Sequence, residues 1–371
     1  MTLSFHTYRE IKQQPATWVE AYEIIRERKA EIAAFVHKYL DEGYQVVLTG
    51  AGTSAYIGDA LEHAFFKTLF RGARSLATTD ILTAPGNYFD ESSKVLLVSF
   101  ARSGNSPESV GAVHAVERSA GSVAHILITC NPKGELAGMK GDNVLTVLLP
   151  EETNDVSLAM TSSYSTMLVA CSLIANIDSI EAQQEHIQKL SSSVAAAMDK
   201  YEVEIQKIAS LAFKRAVFLG SGALKGVAEE SRLKLQELTD GSVMCAFDSF
   251  LGFRHGPKAV VNGDTLLVYL LSDKPAVQRY ELDLIRQIKA RGYEMASILV
   301  CQSSPCAECA PSLTVEIGLP ESMPECYSCV SYVFVAQLLG MFKSMDFGLC
   351  PDTPSVSGNI SRVVEGVTVY N

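Results

Sequence analysis

Short apolar segments alternate twice with helical patterns along this 371-residue chain, and no other feature limits its possible folds as strongly. A strand–helix–strand–helix order predicts a mostly parallel sheet with helices on both faces. We therefore predict an α/β fold of two domains, each a flavodoxin-like α-β-α sandwich. The predicted strands are Val46–Thr49, Val95–Phe100, Ile126–Thr129, Val144–Leu148, Val217–Gly220, Thr265–Leu271, Ser297–Val300 and Leu313–Ile317.

The helical patterns divide the chain into five parts. We expect helices at 15–40, 54–70, 107–120, 160–177, 181–212, 223–239, 276–291 and 326–345. The predicted organisation is an N-terminal helical arm (1–40), a first domain (41–185), a polar helical connector (186–212), a second domain (213–345) and a C-terminal tail (346–371). The tail is expected to end in a short strand, Val367–Tyr370.

Charge and composition limit the class of partner. Lys and Arg number 31 against 42 Asp and Glu, which gives a net charge of −11. Nucleic acids and anionic membranes favour a basic face, so neither is expected as a partner. The chain has no apolar run of 18 residues, and its N-terminus lacks a signal-peptide core. We expect a cytoplasmic protein with a small-molecule ligand.

The nine cysteines admit two interpretations. Cys306, Cys309, Cys326 and Cys329 have a spacing that fits a zinc ribbon. An apolar strand pattern lies between the two pairs, and Cys329 opens an apolar helix pattern. Cysteine in such surroundings behaves as a small buried hydrophobe, so we predict no metal and no other cofactor.

Three loops after predicted strands are rich in hydroxyl groups. The first contains Gly52, Thr53 and Ser54, and Thr53 or Ser54 is placed to cap the following helix. Exposed N–H groups at a helix start, together with serine hydroxyls, form an anion site, whereas helix capping alone is the simpler interpretation. The second loop contributes Arg102, Ser103, Gly104 and Ser106, and the third runs from Ala159 through Thr161 to Ser163. Their occurrence together favours an anionic ligand.

A dinucleotide site is the competing interpretation. The segment Gly220–Gly226 follows a strand and opens a helix. Its third glycine comes one residue too late for the G-x-G-x-x-G pattern, and no acidic residue ends a second strand at the required distance. We therefore do not predict a nicotinamide cofactor.

The second domain carries titratable groups instead. Leu224, Ala228, Ser231, Leu235 and Leu238 form the predicted buried stripe of the helix 223–239. Glu230, Lys234 and Glu237 share a neighbouring face, where a solvated ion pair is the simpler interpretation. His255 lies downstream in a Gly-Pro turn, which suits a group that transfers protons.

Together these motifs resemble the SIS (sugar isomerase) family, in the order found in the double-SIS isomerase domain of glucosamine-6-phosphate synthase. The resemblance covers residues 41–371. Four segments are most similar to the AgaS family, whose members are assigned as galactosamine-6-phosphate deaminase/isomerases or tagatose-6-phosphate ketose/aldose isomerases. They are Gly50–Gly58 (GAGTSAYIG), Ser103–Ser109 (SGNSPES), Gly252–Lys258 (GFRHGPK) and Pro351–Gly358 (PDTPSVSG).

The resemblance implies a role for each matching residue. Ser54, Ser103 and Ser106, with N–H groups around Arg102 and Gly104, match the sugar-phosphate loop, and Thr161 matches a residue against the sugar. Glu237 matches the carboxylate that moves a proton between C1 and C2, and His255 the ring-opening histidine, which the synthase supplies from a neighbouring subunit. Glu230 and Lys234 match pocket residues. A homodimer or larger assembly with shared sites is therefore expected.

The sequence departs from the synthase at three positions. Ala101 replaces the first serine of its phosphate loop, and Arg102 replaces a glutamine, where it could add a charge-assisted contact to phosphate. Glu365 aligns with a lysine that engages the open-chain sugar. Three functions stay open: a deaminating isomerase, an aldose–ketose isomerase without ammonia release, and a non-catalytic phosphosugar sensor. Retention of Glu237 and His255 favours the enzymes.

Overall fold

The computed structural model describes residues 4–303, 309–364 and 366–370, and these residues form two compact units. The first unit comprises 16–155, 160–187 and 360–371, and the second comprises 1–15, 156–159 and 188–359. Each unit contains one five-stranded sheet in which every pairing is parallel. The prediction of two parallel sheets flanked by helices is confirmed.

The first sheet has the strand order β2-β1-β3-β4-β5. Its strands are β1 (Gln45–Thr49), β2 (Arg74–Ser75), β3 (Lys94–Ala101), β4 (Ser122–Thr129) and β5 (Val144–Leu148). In β3 every residue after Lys94 is buried, because helices cover both faces of a parallel sheet. The helices connecting these strands are α3 (Thr53–Ala64), α4 (Thr78–Thr83) and α5 (Pro107–Ser119), and α6 (Ser162–Ala175) follows β5.

The second sheet repeats this order from its opposite edge, as β10-β9-β8-β6-β7. The strands are β6 (Arg215–Leu219), β7 (Met244–Asp248), β8 (Thr265–Leu270), β9 (Ala296–Cys301) and β10 (Leu313–Glu316). The helices are α8 (Ala223–Leu238), α9 (Pro275–Lys289), α10 (Glu325–Ser328) and α11 (Val333–Asp346). In both units the chain order reverses between the first and third strands, and ligands bind at such switch points.

Two helices replace the single helix predicted at 15–40. They are α1 (His6–Glu27) and α2 (Lys29–Asp41), and Arg28 between them has non-helical dihedrals. Pro15 lies inside α1 and cannot donate to the Ile11 carbonyl one turn earlier. The Gln14 side-chain amide donates to that carbonyl at 2.8 Å, so the helix begins well before the proline.

Other predicted boundaries also differ. The helix predicted at 54–70 ends at Ala64, and Phe65–Lys67 continues as a 3-10 turn. The strands β2 and β7 were not predicted, since β2 has two residues and β7 is partly exposed along its length. The expected strand Val367–Tyr370 is wrong, because the described tail residues pair with no strand. The polar helix predicted at 181–212 forms α7 (Gln183–Ala209).

The stretch Glu325–Asp346 has the length and hydropathy of a membrane span, yet 94% of its apolar window is buried inside the protein. It contains α10, the 3-10 turn Cys329–Tyr332 and α11, and it forms a core element of the second unit. The apolar helix α6 is likewise buried at every residue in the first unit.

Candidate active site

The loop after β1 turns through a glycine. Gly52 is the N-terminal cap residue of α3, with φ +55° and ψ −127°, a conformation that side-chain-bearing residues avoid. The prediction that Thr53 or Ser54 caps this helix is therefore wrong. Thr53 and Ser54 instead form its buried first turn, only 4% and 6% exposed.

The loop after β3 carries the second group of hydroxyls. Ser106 stands at the N-terminal cap position of α5, but its hydroxyl donates to the Glu108 carboxylate at 2.8 Å and makes no capping bond. Helix capping alone is thus the wrong interpretation of this serine. The Ser103 hydroxyl accepts from the Asn105 amide at 3.3 Å. Two serine hydroxyls therefore lie beside a helix N-terminus, as an anion site requires.

The chain after β4 holds this loop in place. The Asn131 side-chain amide donates to the Ser103 carbonyl at 2.8 Å, and the Leu136 amide donates to the Gly104 carbonyl at 3.1 Å. The Glu135 amide donates to the Asn105 side chain at 2.9 Å. Three cross-loop hydrogen bonds fix the backbone before a ligand arrives, which lowers the entropy lost on binding.

The third hydroxyl segment is organised by Asp155, which is 1% exposed. Its carboxylate accepts from the amides of Thr161 at 2.8 Å and Ser163 at 2.9 Å, and from the hydroxyls of Ser162 and Ser163. The Thr161 hydroxyl is also buried, and it has no hydrogen-bond partner among the residues that the structure describes. A buried hydroxyl without a partner is unfavourable, so this group is suited to receive one from a ligand.

Two arginines place positive charge in the same unit. Arg102 is 7% exposed, and its guanidinium donates to the backbone carbonyl of Arg362 in the tail. Burial raises the pKa of the Cys130 thiol, just after β4, to about 12, although both arginine charges oppose this shift. Cys130 is therefore a neutral thiol here and not a nucleophile.

In the second unit, α8 presents an ion-pair network. The Lys234 ammonium lies 2.7 Å from the Glu237 carboxylate and 3.4 Å from that of Glu230. The side chains of Lys234 and Glu230 are 0% exposed, so the solvated-pair interpretation is wrong. Helix α11 packs closely on this part of α8, because a Cβ at Gly340 would lie 3.1 Å from the Lys234 carbonyl oxygen. The predicted apolar stripe of α8 is confirmed as buried.

Glu237 differs from its two neighbours because its side chain is 20% exposed. A carboxylate that reaches the surface while a buried lysine fixes one of its oxygens has a defined orientation. Such a group can accept a proton from a bound molecule and return it to an adjacent atom.

His255 follows the 3-10 turn Gly252–Arg254 and is exposed. Its backbone amide donates to the Gly252 carbonyl at 2.9 Å, which holds the turn. Within the described part of the chain, the imidazole makes no hydrogen bond. The structure therefore brings Glu230, Lys234 and Glu237 together on one helix and leaves the His255 ring available to a ligand or partner.

The glycine loop after β6 has a structural explanation that needs no dinucleotide. Gly222 has φ +57° and ψ −128°, nearly the same as Gly52. Burial raises the pKa of Glu281 on α9 to about 7, while bonds from Ser221 and the Ser272 amide oppose this shift. The Ser221 side chain in this loop is therefore already bonded to a carboxyl group of the protein.

The zinc interpretation has no support in the described residues. Across 4–303, 309–364 and 366–370, no group of three or more His, Cys, Asp or Glu side chains could hold a metal ion. Cys309, Cys326 and Cys329 are buried among apolar residues, and burial raises the pKa of the Cys329 thiol well above its usual range. Cys306 and Glu365 lie outside the described residues.

Sequence reasoning missed Asp155 and Arg362. The Arg362 guanidinium donates to the Asp155 carbonyl at 2.8 Å and to the Asn154 side chain at 2.8 Å. The buried strands had a local apolar signal, whereas Asp155 and Arg362 have none. A structural role becomes visible only from their partners, which are serine hydroxyls for Asp155 and backbone carbonyls for Arg362.

Comparisons with known proteins agree with this geometry. Residues 19–177 match the model of the SIS domain family. The D-galactosamine-6-phosphate deaminase AgaS of Escherichia coli is 35% identical over 371 residues, 98% of this chain and 95% of that protein. The crystal structure of tagatose-6-phosphate ketose/aldose isomerase from Escherichia coli has a TM-score of 0.91 at 32% identity, covering 99% of this chain and 97% of that one.

A more distant structure supports the fold. The C-terminal domain of glucosamine-fructose-6-phosphate aminotransferase from Francisella tularensis has a TM-score of 0.76 at 18% identity, covering 93% of this chain and 97% of that one. The two parallel sheets are therefore those of a double-SIS fold. With more than a third of its residues identical to AgaS over nearly the full length of both proteins, the chain belongs to the SIS family and, within it, to the AgaS proteins.

Proposed function

We propose that this protein converts galactosamine-6-phosphate and water to tagatose-6-phosphate and ammonia. The observation that carries the proposal is Glu237, a partly exposed carboxylate oriented by the buried Lys234 on α8. The unit that contains the hydroxyl loops supplies the phosphate site required by such a substrate. The names of the AgaS relatives give the same substrate class for those proteins.

In this proposal the phosphate binds to hydroxyl and N–H groups of the first unit. The hydroxyls come from Thr53, Ser54, Ser103 and Ser106, and the backbone N–H groups from Gly52, Arg102 and Gly104. A phosphate would displace the Ser106–Glu108 bond and gain a charge-assisted bond in its place. Binding energy from the remote phosphate can then hold C1 and C2 in a reactive geometry.

The proposed reaction moves one proton and exchanges nitrogen for oxygen. His255 assists opening of the pyranose ring, which gives a free aldehyde at C1. A proton from solvent adds to O1 as Glu237 removes the C2 proton, which forms an enolamine, and Glu237 then returns its proton to C1. The resulting C2 iminium ion adds water, loses ammonia and releases the added proton, which leaves the ketone at C2.

Other residues of each unit have proposed roles in the reaction. Lys234 fixes one oxygen of the Glu237 carboxylate by a hydrogen bond of 2.7 Å. Glu230 shares the same lysine, and the unpartnered Thr161 hydroxyl contacts the sugar. We further propose a metal-independent cytoplasmic enzyme that forms a homodimer or larger assembly and has no nucleic acid or membrane partner.

Aldose–ketose isomerisation without ammonia release is the second candidate. It is favoured by the name of the Escherichia coli isomerase structure, which is 32% identical to this chain. Both reactions use the same transfer of a proton from C2 to C1, and they differ in whether C2 carries an amine or a hydroxyl.

The test is to incubate the protein separately with galactosamine-6-phosphate, glucosamine-6-phosphate and tagatose-6-phosphate, with and without EDTA, and to measure ammonia and sugar products. We expect ammonia and ketose in equal amounts from galactosamine-6-phosphate, at a rate unaffected by EDTA. An aldose formed from tagatose-6-phosphate, with no ammonia from either amino sugar, would support plain isomerisation. Binding without turnover of any of the three would support a sensor.

Glu237→Gln should lower ammonia release about 100-fold or more, because the general base is lost, while phosphate binding persists. Glu229→Gln on the same helix is the matched control and should keep the wild-type rate. Near wild-type turnover by the Glu237 variant would remove this carboxylate from the mechanism.

A further inference from the structure

Through Arg362, the C-terminal tail contacts one hydroxyl loop of the first unit and also Asp155, the residue that organises another. The Arg362 backbone carbonyl accepts from the Arg102 guanidinium, and its own guanidinium donates to Asn154 and Asp155. Arg102 opens the loop that contains Ser103 and Ser106, whereas Asp155 organises the segment Thr161–Ser163. We call these contacts the Arg362 bridge.

We propose that the Arg362 bridge positions the phosphate loop and the Thr161–Ser163 segment relative to each other, so that Arg102 and Arg362 are positioning residues for substrate binding. This inference rests on the proposed function for its kinetic consequences. It assigns the Arg102 side chain to the tail and leaves only its backbone N–H for the phosphate.

The first part of the argument concerns Arg102. Arg102 is only 7% exposed, so its charged side chain needs partners to offset the loss of water, and the described tail supplies one at Arg362. The two residues are 260 positions apart in the chain. Because Arg102 directly follows β3, its bond to the tail constrains the backbone at the start of this loop.

The second part concerns the other end of the bridge. The Arg362 guanidinium donates to three acceptors, namely the Asp155 carbonyl at 2.8 Å, the Asn154 side-chain oxygen at 2.8 Å and the Asn154 carbonyl at 3.3 Å. A planar fork of donors fixes both the position and the orientation of the chain it binds. The adjacent Asp155 carboxylate then holds the Thr161 and Ser163 amides.

The third part concerns the tail beyond Arg362. A Cβ built on Gly111 of α5 would lie 3.1 Å from a methyl group of Val369, so the tail packs closely on the helix that follows the phosphate loop. The tail is therefore anchored on both sides of this loop, at Arg102 before it and at Gly111 after it.

The experiment compares Arg362→Ala, Arg102→Ala, their double variant and Arg118→Ala in the full chain. Arg118 is an exposed arginine on α5 and serves as the matched control. The first readout is KM and kcat with galactosamine-6-phosphate. Arg362→Ala and Arg102→Ala should each raise KM about tenfold, with kcat changed less than about threefold, as expected for loss of charge-assisted hydrogen bonds that position the site.

The double variant separates positioning from direct contact. If the bridge is the common cause, the double variant should raise KM no more than the larger single effect. If the Arg102 side chain binds phosphate itself, the two fold-changes should multiply, and this result would overturn the assignment of Arg102.

The second readout does not depend on any activity. Amide hydrogen exchange at Thr161 and Ser163 should become about tenfold faster in Arg362→Ala, while exchange in β4 stays unchanged. Unaltered exchange at these amides would overturn the bridge even in an active enzyme. Conversely, a wild-type protein that releases no ammonia would refute the proposed function and leave the exchange result to decide on the bridge.

Arg362→Lys guards against a variant that fails to fold. Lysine keeps the charge but cannot serve three acceptors in a plane, so KM and amide exchange should fall between those of wild type and Arg362→Ala. Lysine and alanine variants that both behave as wild type would contradict the proposal.

Discussion

The two units of this protein share a strand order and a glycine conformation, yet they carry different side chains at equivalent places. Gly52 and Gly222 have φ values of +55° and +57° at the starts of α3 and α8. The eighth and twelfth residues of α3 are Ala60 and Ala64, whereas in α8 they are Glu230 and Lys234. The two helices therefore begin with the same backbone conformation, but only α8 carries the Glu230–Lys234 pair.

The loops show the reverse distribution. In the first unit α5 begins after Ser106, whereas the corresponding α9 begins after Lys274, which pairs with Glu325 at 2.5 Å. In the first unit two serine hydroxyls lie at the start of α5, whereas in the second unit an ion pair lies at the start of α9. The comparison teaches that the same fold carries hydroxyl groups at a helix start in one copy and a buried ion-pair network on a helix of the other.

The largest expected effect on stability comes from removing the buried charge of Lys234 on α8. Lys234→Met should lower the free energy of unfolding by about 3–5 kcal/mol, because it leaves the Glu230 charge buried without its lysine. Denaturant unfolding is the measurement. The exposed Lys225→Met on the same helix should change little, and Glu230→Gln combined with Lys234→Met should recover much of the loss. A stable single variant would contradict the buried network.

Glu281 gives the second unit a pH dependence that the first unit does not share at the corresponding position, Val113. Burial raises its pKa from an ordinary value of 4.5 to about 7 in the folded protein. Between these two pH values the Glu281 carboxyl is protonated in the folded state and ionised in the unfolded state. The free energy of unfolding should therefore fall by about 3 kcal/mol as the pH rises from about 4.5 to 7.

Glu281→Gln should remove that decline, which urea unfolding at pH 4.5 and pH 8 would measure. The exposed Glu185→Gln on α7 should keep the wild-type pH dependence. An unchanged decline in the Glu281 variant would show that other groups cause it.

The two cap glycines allow a matched test of the comparison. Gly52→Ala and Gly222→Ala should each destabilise their unit by about 1–3 kcal/mol, since only glycine adopts this backbone conformation without strain. A Cβ at Gly52 meets no atom within 4 Å, and one at Gly222 comes only to 3.8 Å from Glu325, so packing adds little. Only Gly52→Ala should also raise KM for the phosphosugar. An equal rise in KM for the two variants would contradict the proposal that only the first unit binds the phosphate.

The smallest effect concerns the hydroxyls. Ser103→Ala combined with Ser106→Ala should raise KM about tenfold through lost hydrogen bonds to phosphate, with little change in kcat. Ser272→Ala in the corresponding loop of the second unit is the control and should leave KM unaltered. Steady-state kinetics with galactosamine-6-phosphate decide the outcome, and an unchanged KM would contradict the loop assignment.

Local patterns predicted most of the elements. The buried strands β3 and β4 follow from runs of Val, Ile and Leu, and the helix predicted at 107–120 forms α5 at Pro107–Ser119. The failures occurred where distant or unusual contacts override local preference. Pro15 lies inside α1 because the neighbouring Gln14 side chain supplies the missing donor.

The net charge of −11 shows the same limit for function. It argued against nucleic acid, yet the proposed ligand is a phosphate. Local geometry reconciles the two, because hydroxyls, N–H groups and a helix N-terminus act at hydrogen-bond distance, whereas the summed charge acts over longer distances and is screened by salt.

By itself the sequence determined two α/β units and the glycine and hydroxyl loops that follow their strands, and a resemblance to a family predicted roles for Glu237 and His255. These signals are local, since strand periodicity and turn chemistry act over a few neighbouring residues. Only the tertiary structure decided that Lys234 is buried, because burial of a charged residue in a helix depends on elements packed against it, here including α11. It also decided that Arg362 contacts Asp155 and Arg102, which lie 207 and 260 residues away in the chain, because folding alone brings such distant groups together.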